Sequence, residues 1–211
     1  MYLSKSKAFK IKGVTISKRP FLETLILCFI AALLNLLLSE LAGKVLKIPL
    51  FLDTMFSITL LFYCGIIPAL FSSFLYSIPS SLLVNAPFYL LFNFCTIAIM
   101  LITYGIMKCS ERNNKSIKLT ILYLILASLL SGFASSIIGG TIHSFGLILF
   151  PENVLEIVTE KFVLSLFVQN ENLFLSSILG RIPTTCIDRI ICTLSGFSIY
   201  KVLQKNEKRL L

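Results

Sequence analysis

FLETLILCFIAALLNLLLSELA, residues 21–42, is the stretch whose reading decides the fold. It holds one acid near each end and is otherwise almost wholly apolar. At about 1.5 Å per residue, a helix of this length crosses a hydrocarbon core of about 30 Å. Six cations stand before it: Lys5, Lys7, Lys10, Lys12, Lys18 and Arg19. A cleaved signal peptide also joins a basic start to an apolar run. This run exceeds the roughly 7–15 residues of such a segment, and no Ala-x-Ala site follows. It reads as a first transmembrane helix that starts on the cytoplasmic side.

The remainder of the 211-residue chain has the same character, with 56% hydrophobic and 14% charged residues. A soluble domain carries roughly 25% charged residues, so there is too little polar surface here to face water. Disorder, a collagen-like fibre and a disulfide scaffold are excluded by the same composition. Five of the six cysteines lie in apolar runs, no Cys-x-x-Cys pair occurs, and the chain has one histidine, His143. The cysteines read as small buried hydrophobes, and neither a metal site nor a cofactor is expected.

The apolar stretch from 48 to 84 is too long for one span and is punctuated by Gly65 and Pro68. It predicts two short helices, about 51–65 and 67–84, joined by a tight cytoplasmic turn. Further helices are expected from about 87 to 107, 118 to 142 and 183 to 203. Leu173 to Leu179 fits either a re-entrant turn or the first turns of a long last helix kinked at Pro183. Residues 153–168 interleave Val154, Leu155, Val158, Phe162 and Leu166 with acids, the spacing of an amphipathic helix lying on the outer interface. The fold class is therefore an all-α integral membrane protein of six transmembrane helices with an amphipathic outer segment before the last. A basic segment (1–20) precedes the membrane domain (21–203), and a basic tail (204–211) follows it.

Charge placement sets the orientation. The net charge is +9, and fourteen of the nineteen cations fall in three segments: before residue 20, from 108 to 118, and from 201 to 209. Residues 152–171 instead hold four acids and one base. Six crossings with both termini cytoplasmic put every basic cluster inside and the acidic loop outside, as the positive-inside rule requires. The excess is thus a topology signal, nucleic acid is not an expected partner, and the chain is placed in the cytoplasmic (inner) membrane.

Polar side chains inside apolar spans are the functional candidates, because lipid penalises them. Asn35, Glu40, Asn85, Tyr89, Asn93, His143 and Arg181 all fall in the outer half of the predicted bundle, which suits an outward-facing pocket for a small molecule. Asp53 fits either a helix cap or a ligand contact. One cation among several amides suits an anionic or heterocyclic ligand. Asp188 and Arg189 are adjacent in the last span and are expected on different sides of it, with Asp188 pairing Arg181 or a neighbouring helix in a structural or coupling role. Ala127, Ser131, Ser135 and Gly139 form a ridge of small residues suited to close helix packing, and Gly139–Gly140 permits a bend near the outer mouth. No phosphate-binding loop is present, and Ser195 and His143 are predicted at opposite membrane faces, so no catalytic activity is expected.

Ile48-Pro-Leu-Phe-Leu-Asp-Thr54, the Gly65-Ile-Ile-Pro68 turn and Pro183-Thr-Thr-Cys-Ile-Asp-Arg189 resemble the S component of energy-coupling factor (ECF) transporters and related six-helix membrane modules. The resemblance covers about residues 20–203. It implies a membrane subunit that binds a vitamin-like micronutrient from outside, partnered by a transmembrane coupling subunit and two ATPase subunits. It also implies a site built by outer loops and helices 4 to 6, hence Asn85, Tyr89, Asn93, His143 and Arg181. Docking on helix 1 in that family uses Ala-x-x-x-Ala; here Ala31 is followed by Asn35, and Cys28–Ala32 approximates the motif, which assigns Ala31 and Ala32 to coupling. A sensor or scaffold module without transport is the alternative reading.

Overall fold

A computed structural model describes residues 20–83, 87–113, 116–149 and 172–210. Every regular element among them is helical: α1 (Phe21–Glu40), running on into a π-helical turn (Leu41–Val45), α2 (Met55–Cys64), α3 (Ile66–Leu83), a 3₁₀ turn (Pro87–Phe92), α4 (Asn93–Asn113), α5 (Ile117–Leu149) and α6 (Leu173–Leu210). The basic N-terminal segment, the turn that holds Asn85 and the amphipathic 153–168 segment lie outside the described residues.

Among the described residues, four helical stretches are long and apolar enough to cross a membrane: Phe21–Val45, Ile66–Leu83, Phe88–Ser110 and Ile117–Gly146. Their outward surfaces agree. On α1, Ile26, Phe29, Leu33 and Leu37 are each at least half exposed, and large apolar side chains are likewise presented outward along α3, α4 and α5. Water would strongly disfavour such a surface, whereas lipid tails match it. The bundle is a membrane protein.

Two three-helix groups build it. The first helix packs on α2 and α3, while α5 packs on α4 and α6; α2 against α6 and α3 against α4 join the groups. Near the seam lies the apolar core, with Ile58, Phe62, Ile99, Met100, Leu124 and Tyr200 almost fully buried. Phe62 meets Phe197 edge-on, with centroids 5.4 Å apart.

At ten residues, α2 is too short to be stable alone, and it starts later than the sequence predicts. Residues 46–53 do not join it, and the N–H groups of Leu46, Ile48 and Leu52 among them are bonded elsewhere. The Leu52 N–H donates to Asp188 Oδ1 at 2.8 Å, and both Lys47 and Leu52 adopt positive φ (51° and 47°), a conformation costly for such residues unless the surroundings hold it. Asn35 of α1 supplies the cap that α2 lacks, its Oδ1 accepting the Phe56 N–H at 3.0 Å. Gly65, at φ 95°, turns the chain directly into α3, where Pro68 falls in the first turn and wastes no hydrogen bond.

Other boundaries also move. The fifth helix continues to Leu149, unbroken through Gly139–Gly140. A Cβ on Gly140 would stand 2.8 Å from Ile178 Cγ1, and one on Gly132 would stand 3.0 Å from Cys186 Cα. These glycines let α5 and α6 touch backbone to backbone. Leu173–Leu179 is the start of α6, not a re-entrant turn, and Pro183 lies inside that helix. The Thr184 and Thr185 hydroxyls donate back to the Arg181 carbonyl at 3.0 and 2.7 Å just beyond it.

Candidate functional site

Because the helices run antiparallel, one end of the bundle collects the C-terminal ends of α1, α3 and α5 and the N-terminal ends of α2, α4 and α6. That end is hollow. A cavity of about 430 Å³ opens there, walled by residues 48–53 and by side chains from α1, α3, α4, α5 and α6. Lys108, Lys118, Lys201 and Lys205 sit toward the other ends of their helices.

Four of the expected ligand residues line the cavity: Asp53, Tyr89, Asn93 and Arg181. Asn93 opens α4 and is hydrogen-bonded to Ser77 of α3. Arg181 is 6% exposed and lies with its guanidinium carbon 5.6 Å from the Phe92 ring centroid, a cation–π arrangement that keeps the charge at the wall. The position of Gly139 leaves room beside it: a Cβ there would lie 3.6 Å from Phe92 and 3.9 Å from Arg181 Nη1.

Asp188 and Arg189 depart from expectation. Although adjacent on α6, they pair with each other, Arg189 Nη2 to Asp188 Oδ2 at 2.7 Å, and Asp188 does not pair with Arg181. Arg189 also binds Asp53 Oδ1 at 3.0 Å and the Thr54 hydroxyl. The reason is the strap before α2, whose N–H groups and acid sit against this part of α6 and draw both side chains to one side. Asp53 therefore serves as an ion-pair partner and a cavity wall at once, and it does not cap α2. Arg189, expected to be structural, also lines the cavity. At the rim, Glu40 and Lys44 form an ion pair of 2.6 Å across one turn.

Two expected ligand residues are elsewhere. Asn35 is fully buried between α1 and α2, its Nδ2 donating to Ser57 Oγ at 2.9 Å while Oδ1 caps α2. His143 is 2% exposed and not part of the cavity wall. Asn85 lies outside the described residues. Ala31 and Ala32 are 4% and 7% exposed, so this face of α1 is covered by the chain itself.

The small-residue ridge divides. Ser135 and Gly139 face the cavity and α4, with Cys95 Sγ donating to the Ser135 carbonyl at 3.6 Å, while Gly132, Ser136 and Gly140 one position on meet α6. Sequence reasoning missed Tyr76 and Ser39, joined by a 3.2 Å hydrogen bond on the cavity wall, and the aromatic Phe92. The signal was available in part: Tyr76 and Ser80 lie one turn apart near the same end of α3 as the candidates already named. Ser195 and His143 do not meet. Gly140 packs on Ile178, and Ser195 lies 17 residues, about 26 Å, further along α6.

The described residues contain no group of three His, Cys, Asp or Glu side chains placed to hold a metal ion. The arrangement is suited to holding a small molecule: aromatic walls, hydroxyl and amide groups, and charges of both signs around one cavity. Comparison with known proteins leaves the site to speak for itself, since no family model, curated protein or solved structure matches the chain.

Proposed function

We propose that the chain is a membrane-embedded substrate-binding subunit that captures a small, vitamin-like solute in the cavity between residues 48–53 and the ends of α3 to α6. One observation carries the reading: the buried Arg181 and the Asp53–Arg189 pair share a single cavity at one end of a bundle whose outside is apolar. Intramembrane charges lining a cavity mark solute paths, since lipid selects against them otherwise.

In this reading six helices cross the cytoplasmic membrane with both termini inside, and the cavity opens outward. The lysines toward the opposite ends of the helices support that orientation. Import then depends on a separate coupling subunit and two ATPases, as the ECF resemblance implies. Native mass spectrometry of the detergent-solubilised protein tests the binding step. A co-purifying small molecule is expected, and it should be lost when Arg181 and Asn93 are both replaced by alanine. A protein that carries no solute, with uptake in cells unchanged by the double substitution, overturns the reading.

A specific observation favours a second reading, a ligand sensor without transport. Ala31 and Ala32, the docking residues implied by the resemblance, are covered by the chain's own helices. Bound solute without any solute uptake by cells expressing the protein would select the sensor.

A further inference from the structure

We infer that the solute carries a cationic, N–H-donating head, received by the Asp53 carboxylate and by the oxygen-lined wall of the cavity. This solute class rests on the cavity being a solute site, and it sets aside the anion that the sequence alone suggested.

One guanidinium serves two carboxylates here: Arg189 lies 3.0 Å from Asp53 and 2.7 Å from Asp188. Asp188 uses both oxygens inside the protein, one on the Leu52 N–H at 2.8 Å and one on Arg189, the pattern of an ionised carboxylate. The three side chains therefore sum to one negative charge. Those of Asp188 and Arg189 are 0% and 4% exposed, so the cavity reaches the excess at Asp53, which is 23% exposed. Asp53 Oδ1 accepts from Arg189, and among the described residues no other hydrogen bond or ion pair occupies this carboxylate. With little solvent to screen it, a carboxylate that shares its only cation favours a second one.

Four hydroxyls on the cavity wall have already given away their single proton. Tyr76 donates to Ser39 Oγ at 3.2 Å, Ser77 to the Ser73 carbonyl at 2.9 Å, Thr96 to the Phe92 carbonyl at 3.4 Å and Ser135 to the Gly132 carbonyl at 3.0 Å. What each has left is oxygen lone pairs, which accept. Tyr76 and Tyr89 add ring faces, which hold a flat body and attract positive charge. A cation rich in N–H groups finds acceptors in these groups, whereas a carboxylate solute meets another carboxylate at Asp53. Arg181 is engaged within the protein, its guanidinium carbon over the Phe92 ring, and it forms no ion pair with Asp53. It stands eight residues before Arg189 on α6, about 12 Å along the axis.

Three benzenes with head groups of one shape provide the test: benzamidinium as the cation, benzamide as the neutral form and benzoate as the anion. Each is titrated against the full-length protein in neutral maltoside micelles, with binding read by ligand-observed NMR. Benzamidinium is expected to bind at least about 10-fold more tightly than benzamide, the scale of one charge-assisted contact, with benzoate weakest. Asp53→Asn should bring benzamidinium level with benzamide. Asp53→Glu keeps the charge and should keep benzamidinium first, which separates charge from any loss of folding. Benzamide or benzoate binding as tightly as benzamidinium to the unaltered protein overturns the inference without any variant, as does a preference for benzamidinium that survives Asp53→Asn. Binding of none of the three overturns the cationic head, while a solute found by native mass spectrometry still upholds the site.

Discussion

Asn35 and Arg181 look alike in the sequence, each a polar side chain in an apolar span, and they end in opposite surroundings. Asn35 is tied at both ends of its amide, to Ser57 and to the Phe56 N–H, and Ser57 passes the chain of bonds to Ser72 at 2.8 Å. That set closes entirely on protein. Arg181 is almost as buried but stands on Phe92 at the wall of an open volume. Both satisfy the rule that lipid tolerates polar groups only where protein or a cavity receives them. Burial does not separate structure from function here; whether the side chain borders the cavity does.

Arg189 belongs to both kinds of region, and removing it should have the largest effect. Arg189→Met leaves Asp188 fully buried beside Asp53 with no cation between them. Truncating one partner of a buried ion pair costs about 3–5 kcal/mol, much of it the desolvated charge left behind. Unfolding in mixed SDS–detergent micelles should register that loss, and it should fall sharply if Asp188→Leu is added. A double variant no more stable than the single one would separate Asp188 from the cluster.

Asn35→Ala is next, at about 2 kcal/mol, because the Phe56 N–H loses its acceptor in a buried place and α2 loses its cap. The folded fraction should still bind solute with unchanged affinity. An Asn35→Ala protein that stays stable but binds weakly would move Asn35 from the helix contact to the cavity, and the comparison would fail.

The periodicity and charge of the sequence made the long helices legible, as lipid-facing runs depend on little besides local composition. The short α2 and residues 48–53 were less legible. Their shape depends on Asp188 and Arg189, more than 130 positions away, and a composition window sees no such bond. The same holds for the site. Asp53, Tyr89, Asn93 and Arg181 were identifiable by depth, but the rotation of each helix was not, and rotation sends Asn35 and His143 away from the cavity while bringing Tyr76 and Phe92 to it. Adjacent Asp188 and Arg189 are expected on different sides of the helix, yet the long Arg189 side chain reaches Asp188.

Gly139 and Gly140 carry the comparison down to neighbouring residues. A methyl group at Gly140 would meet the Ile178 backbone at 2.9 Å, where α6 cannot yield without parting from α5, so Gly140→Ala should cost about 1–3 kcal/mol. At Gly139 the nearest atom is Cys95 Sγ at 3.4 Å, an ordinary contact. Alanine favours a helix over glycine by up to about 1 kcal/mol, so Gly139→Ala should be neutral or slightly stabilising in the same micelle unfolding assay. Its effect should fall on binding instead, because the methyl narrows the space beside Phe92 and Arg181; displacement of the co-purified solute should show a several-fold weaker affinity in a protein that is no less stable. If Gly139→Ala destabilises as much as Gly140→Ala, both glycines serve helix contact, and the face of α5 assigned to the cavity is wrong.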